Sequence, residues 1–364
     1  MSVEFCDGLD TITTITHLNQ RWDTVDTSTT YANVSTTLGR AGGTALTNGG
    51  GGNVTTLCAK QLPRPLAALG QDAVIYSASI YYISAPIARR LLLTLVNFLP
   101  PVSQNTQTPW SSTTSTSTWI TVSYNTSGRL ELLLNGTLLA TGTNPMVAGE
   151  WKRIEIRVAN IDDAGATAEV RVNGVTEISF TGDLFAAGSR QIEAIAYHFT
   201  NTHRGDDILV LSSGGSTMNG FLGDLIIDTQ RPNGPGATTQ STPNTGTAWQ
   251  AVDDIASDGQ TTYTAIDTVG NKDTYAYSNM TTTPTTIHGV VVTTAAQSQG
   301  MSPRQFKTLS RLAGVEEEGL AQNVLLDLTA NYRFSQDTFA TKPGGGAWTR
   351  ADVDAAEFGW KVTQ

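Results

Sequence analysis

The chain has 364 residues, room for two or three domains that each bury a core, and only 15% of them are charged. Its formal net charge of −10, with no cluster of Lys and Arg, excludes the basic face that nucleic acid or an anionic membrane would select. The longest apolar run, 91–96 (LLLTLV), is too short to cross a bilayer, so no membrane insertion is expected.

Thr, Ser and Gly are abundant while Lys and Glu are scarce, a balance that favours strands and turns over long helices. The start, MSVEFCDGLD, has neither a basic opening nor an apolar core, so no signal peptide is expected and synthesis in a host cytoplasm is. Cys6 and Cys58 fall in different strand candidates and are expected to be unpaired. The glycine-rich 42–53 (GGTALTNGGGGN) lacks the Lys-Ser/Thr of a phosphate loop and predicts a hairpin tip.

Residues 73–84 (AVIYSASIYYIS) alternate as a strand, and the polar, low-complexity 111–118 (SSTTSTST) predicts a mobile loop. In 118–142, turns at Asn125-Thr-Ser-Gly128 and Asn135-Gly136 separate three strands of a meander. WKRIEIRV (151–158) alternates strictly, with Trp151, Arg153, Glu155 and Arg157 on one face and Lys152, Ile154, Ile156 and Val158 on the other. Residues 168–180 predict a hairpin about Asn173-Gly174, followed by strands over 191–199, 207–211 and 221–227. The stretch 231–248 (RPNGPGATTQSTPNTGTA) offers almost nothing to bury and reads as a linker. Domain one is therefore placed at 1–231, a Pro/Gly/Thr-rich linker at 232–247, and domain two at 248–364. Strand patterns resume after the linker. In 303–313, Phe306, Leu309 and Leu312 have helical spacing, yet Phe306, Thr308, Ser310 and Leu312 share a strand face; the surroundings favour a strand.

The stretch 203–224 (HRGDDILVLSSGGSTMNGFLGD) concentrates the residues with chemistry. In an extended strand Asp206 and Asp207 point to opposite faces and form no dyad. Glu150 and Glu155, five apart, also diverge, and Glu316 to Glu318 (in VEEEG) read as a solvated loop. No Glu-x-Asp-x-x-Glu run is present, so the close carboxylate pair of a retaining glucan hydrolase is not expected. His17, His198, His203 and His288 follow no metal spacing, and no Gly-x-Ser-x-Gly elbow occurs. The expectation is a chain that is not an enzyme, with no catalytic residue, no metal ligand and no cofactor. Asp206, Asp207 and Asp224 are calcium candidates on composition alone, with turn capping favoured. The Arg204-Gly205-Asp206 tripeptide is discounted as chance. Glycan-site candidates are Trp110, Trp119 and Tyr124, which flank the Ser/Thr-rich loop; Trp22, Trp151, Trp348 and Trp360 read as core or interface.

Several landmarks come in a telling order: FCDGLD near the start, LGRAGGTAL at 38–46, GEWKRIEIRV at 149–158, AEVRVNG at 168–174 and DDILVLSSGGSTMNGFLGDLII at 206–227. DDIASDGQTTYTAIDTVGNKDTYAY at 253–277, IHGVVVTTAA at 287–296 and AWTRADVDAAEFGWKVT at 347–363 come next. Together they resemble the concanavalin A-like (laminin-G-like) jelly roll of tailed-bacteriophage virion structural proteins. The resemblance implies an all-β chain, an N-terminal jelly-roll β-sandwich followed by a smaller C-terminal β-domain for virion assembly. It implies a non-enzymatic virion component of a tail, baseplate or fibre that contacts host surface carbohydrate. Its partners would be other virion proteins, in a homo-oligomer or multi-copy assembly. A capsid decoration protein, or a polysaccharide-binding or polysaccharide-degrading tail protein, are the alternatives.

Overall fold

The structure, a computed structural model, describes residues 3–25, 32–48, 56–86, 88–97, 118–162, 164–298, 304–324 and 332–364. The chain is all-β and divides into two units, Met1–Ile227 and Asp228–Gln364.

The first unit holds β1 (Val3–Asp7), α1 (Ile15–Arg21), β2 (Thr24–Val25), β3 (Ala32–Ser35), β4 (Ala45–Asn48), β5 (Thr56–Leu66), β6 (Val74–Tyr82) and β7 (Arg90–Val96). It continues with β8 (Trp119–Tyr124), β9 (Arg129–Leu134), β10 (Thr137–Pro145), β11 (Glu150–Ala159), β12 (Thr167–Val172), β13 (Val175–Thr181), β14 (Ile192–Phe199) and β15 (His203–Ser212). Two antiparallel sheets form a jelly-roll sandwich. One has the order β13-β12-β11-β6-β15-β4-β3, with β1 also on β15; the other runs β10-β9-β8-β7-β14-β5-β2.

Alternation builds the core. Ile154, Ile156 and Val158 of β11 and Tyr76, Ala78 and Ile80 of β6 point between the sheets, fully buried. Each aliphatic side chain so buried contributes about 1.5–3 kcal/mol. The opposing sheet supplies Leu93, Leu95, Ile120, Val122, Ile195 and Tyr197. Tight turns set the register where Asn-Gly demands it: Asn135-Gly136 (φ 47° and 82°) and Asn173-Gly174 (φ 48° and 80°) both take the left-handed pair of a type I′ turn. Neither cysteine is disulfide-bonded; Cys58 lies in the core and Cys6 faces away from it.

The second unit holds β16 (Pro232–Thr239), β17 (Thr242–Pro243), β18 (Thr264–Ala265), β19 (Lys272–Tyr277), β20 (Val290–Ala296), β21 (Arg304–Leu312), β22 (Val315–Val324), β23 (Arg333–Phe339), α2 (Arg350–Ala355) and β24 (Glu357–Val362). A sheet of order β16-β19-β24-β21-β22 is joined by the ribbons β17-β18 and β20-β23. Trp348, Phe339, Phe358 and Val353 form its apolar centre, and the Trp348 indole donates to Phe339 O at 2.9 Å.

Three expectations change here. The segment 232–247 is not a linker, because β16 is the outer strand of this sheet. Its glycines reflect close approach, since a Cβ on Gly236 would stand 2.3 Å from Thr274 O. Its prolines are tolerated at a sheet edge. Glu316 to Glu318 lie on β22, and Glu318 is clamped by Lys307 (2.9 Å) and Lys361 (2.6 Å), which hold its carboxyl down at about 2. Residues 221–227 form no strand but cross the outside of the first sheet as an irregular strap. The segment 304–312 is a strand, as its surroundings suggest.

Asp273, fully buried on β19, fixes the corner after β16. It accepts from Ser241 N (2.9 Å), from the Gln240 amide, from the Ser241 hydroxyl and from Tyr275 Oη (2.9 Å). Asp273→Ala strands these donors and should cost about 2–4 kcal/mol, measured by denaturant unfolding of the full chain. Limited proteolysis should spare 232–243 in the parent protein and cut there in the variant; a first cut at that segment in the parent would contradict the strand assignment.

Candidate functional site

The side of the first sheet that faces away from the core carries an ordered set of polar and aromatic side chains. Three central strands lie in register, so their outward residues form cross-strand rows. The first row is Trp151–Tyr81–Arg204, the second Arg153–Ser79–Asp206, and the third Glu155–Ser77–Leu209.

A bulge in β15 creates the second row's chemistry. Asp207 adopts φ 51°, and the pairing with β6 shifts register between Asp206 and Leu209. The extra residue cancels the alternation, so Asp206 and Asp207 both turn to the outer side. The expectation that they point to opposite faces is corrected: they are neighbouring buried carboxyls, 3% and 2% exposed. Burial raises both above the usual carboxylate range, and for Asp206 the charge of Asp207 adds to this. Arg153 and Arg40 oppose the rise at Asp207.

The strap closes over these rows. Leu222 N donates to Glu155 Oε1 at 3.0 Å, Gly223 N to Glu155 Oε2 at 3.2 Å, and Ile227 N to Asp207 Oδ1 at 2.8 Å. Arg40 reaches Leu225 O (2.7 Å), Ser79 Oγ (3.1 Å) and the Asp224 carboxylate, while its backbone N donates to Asp206 Oδ2 at 2.7 Å. Arg153, 1% exposed, donates to Ser77 Oγ at 2.6 Å and to Asp207 O. The guanidinium of Arg171 lies 4.1 Å from the Phe221 ring centroid at the strap's start. Burial raises the Glu155 carboxyl, and the strap amides and Arg153 pull it back.

The calcium candidates Asp206, Asp207 and Asp224 are all engaged by Arg40, and among the described residues no cluster of His, Cys, Asp and Glu could hold a metal. The Arg204-Gly205-Asp206 tripeptide is strand, with Gly205 paired to Leu46 and Ile80 and packed so closely on Tyr197 Oη that no Cβ would fit.

The first row stays clear of the strap's hydrogen bonds. Tyr81 and Trp151 have ring centroids 5.5 Å apart at an interplanar angle of 57°, and Arg204 Cζ lies 5.1 Å from the Tyr81 centroid. All three side chains are half-buried. Trp151 is thus neither core nor interface within the unit. Cross-strand register is the signal that would have found this row, because only pairing places residues 81, 151 and 204 side by side.

Of the glycan candidates, Trp119 and Tyr124 do not come together. Trp110 lies outside the described residues, as does 111–117. Trp119 is half-buried and faces outward on β8, whereas Tyr124, five positions on, turns into the core. Tyr124 Oη meets Thr202 Oγ1 at 2.6 Å and His203 Nδ1 at 2.9 Å. His203 Nε2 sits 2.8 Å from His198 O, which makes it the protonated nitrogen and leaves Nδ1 to accept. Burial lowers His203 to about 4 and His198 to about 3, so both rings are neutral at pH 7. His198 Nε2 lies 3.0 Å from Thr94 Oγ1 on the outer face of the second sheet.

No family model matches the chain, and no curated protein matches it. Solved structures similar to it include an endo-β-1,4-glucuronan lyase from the fungus Trichoderma reesei, 11% identical, with 57% of this chain and 95% of that one covered at a TM-score of 0.38. A galectin-like protein from Bacillus subtilis is 13% identical, covering 58% and 98% at 0.40. An alginate lyase from Aplysia kurodai is 10% identical, covering 58% and 100% at 0.41. The first unit is a jelly-roll β-sandwich of two antiparallel sheets. The expectation that the chain is not an enzyme is corrected by these neighbours, since lyases stand among them. A missing hydrolase carboxylate pair bears on one chemistry alone, and the bulge at Asp207 removes the regular alternation that would part Asp206 from Asp207.

Two predictions concern the closed rows. Glu155→Ala removes the acceptor of two strap amides and should cost about 2 kcal/mol, with amide exchange at Leu222 and Gly223 rising before that of β6. The second concerns pH. Asp206 and Asp207 bind protons more tightly in the fold than in the unfolded chain, where such carboxyls titrate near pH 4. Their contribution is fully present below that pH and is lost as pH rises toward their raised folded-state values. Asp206→Asn should therefore flatten the decline of thermal stability above pH 4; an unchanged slope would remove the pair from the account.

Proposed function

We propose that the first unit binds carbohydrate, with Trp151 and Tyr81 as the surface on which a sugar ring stacks. The observation that carries this reading is the Trp151–Tyr81–Arg204 row, two half-buried aromatics and a guanidinium held side by side by strand register. An aromatic face matches the apolar C–H face of a pyranose, and a guanidinium donates in a plane to ring substituents. The rigid strands hold both rings before a ligand arrives, which lowers the entropy lost on binding. The two rings open at 57°, so they present a shallow notch to the edge of one sugar unit.

Glycan-array binding by the full chain, followed by calorimetry on the strongest ligand, tests this. Trp151→Ala should weaken binding roughly tenfold or more, as loss of a central aromatic anchor does, with Trp151→Phe intermediate and the melting temperature near that of the parent. Binding unchanged by Trp151→Ala would sink the assignment of the surface. Release of new sugar ends during the same incubation would report that bound glycan is also cleaved.

A second reading is compatible with the first. The ordered landmarks across both units support a multi-copy component of a tailed-phage virion, in a tail, baseplate or fibre, with the glycan on the host surface. Mass spectrometry of purified particles should then find the chain in many copies, and its presence only in lysate would overturn that role.

A further inference from the structure

We infer that the glycan bound at this row is anionic, and that Arg204 is the residue that selects a carboxylated sugar; the inference rests on the carbohydrate reading above. The guanidiniums of the outer side of this sheet differ in how they are engaged. Arg40 meets Asp224 and Asp207, and Arg171 meets Glu169 at 2.8 Å. Arg153 is enclosed by Ser77, Ser79 and Asp207 O. Arg204 instead lies over Tyr81 and, among the described residues, has no ion pair with a carboxylate.

Carboxylates close to it in sequence or in the row are committed elsewhere. Asp206, two residues along the same strand, has both oxygens on backbone amides, those of Arg40 and Asp207 at 2.7 Å. Glu150, beside Trp151, pairs with Lys152 at 2.6 Å. The guanidinium is half-buried, so stacking on Tyr81 fixes its plane while its donors stay available. A sugar seated on Trp151 and Tyr81 would place a ring carboxylate within reach of this fork, where a planar, charge-assisted pair is favourable. A neutral sugar stacks on the same rings but offers the guanidinium only hydroxyls, without the charge assistance of a carboxylate.

The test compares polygalacturonate, polyglucuronate and polymannuronate oligomers with their carboxyl-reduced neutral counterparts, by calorimetry on the full chain at low salt. At least one acidic oligomer should bind roughly tenfold or more tighter than its reduced partner, with the preference shrinking as salt rises. Arg204→Gln should bring the ratio close to one by weakening the acidic oligomer more than its neutral partner, and Arg204→Lys should restore part of it. Trp151→Ala should weaken both members of each pair. Equal affinity for acidic and neutral oligomers in the parent, or a ratio that survives Arg204→Gln, overturns the selection by charge and leaves the stacking surface standing. Absence of binding to every oligomer, acidic or neutral, overturns both.

Discussion

The left-handed backbone at Asp207 is the constraint on which the outer side of the first sheet depends. A non-glycine residue at φ 51° is uncommon, and asparagine and aspartate tolerate it best because their short side chains bond locally. Here that conformation brings a second carboxyl onto a side that already carries Asp206. Two buried acids in one place demand donors, and the amides of Arg40, Asp207 and Ile227 and the Ser79 hydroxyl supply them, while Arg153 bonds the Asp207 carbonyl. A regular strand would have sent Asp207 into the apolar core beside Tyr76 and Ile80, where no fold of this kind could tolerate it.

From that one bend the sheet acquires two regions of different character. Where the charges gather, the polypeptide folds back over them and water is shut out, so the polar groups serve cohesion. One row further along β6 and β11, the pairing is regular and no carboxyl needs cover. Aromatic side chains and the Arg204 guanidinium can then remain at the surface. The same three strands thus carry both a sealed electrostatic layer and an open aromatic row, one cross-strand row apart. The seal gives the open row a stiff support, since β6, β11 and β15 are cross-linked beneath the strap by Arg153.

Much of the fold was legible because it rests on local signals. The strict alternation of 151–158 separates core from surface side chains, and Asn-Gly turns at 135–136 and 173–174 announce their hairpins. The stretch 303–313 reads two ways because Phe306, Leu309 and Leu312 fit a helical spacing as well as a strand, and the turn that closes it, Ala313-Gly314 (φ 49° and 86°), takes the left-handed pair without Asn. The strand at 232–239 was hidden because it is built from glycine and proline, and its pairing with β19 relies on backbone contact instead of side-chain burial. The candidate site was least legible. Residues 81, 151 and 204 are remote in sequence, and their adjacency exists only through register across three strands. Trp119 and Tyr124 mislead in the opposite sense: both flank the Ser/Thr-rich loop in sequence, yet their odd spacing on one strand sends them to opposite sides.

The strap also decides where this unit can be cut free of the rest of the chain. The last strand of the sandwich ends at Ser212, and a boundary drawn from strands alone would fall there. Such a truncation would leave Asp207 and Glu155 facing solvent without the amides of Ile227, Leu222 and Gly223, and would take Leu225 O and Asp224 from Arg40. The first unit is therefore longer than its own sheets, and it ends at Ile227, the residue whose amide closes on the Asp207 carboxyl. The limit of this sandwich is set by its last satisfied hydrogen bond and not by its last strand.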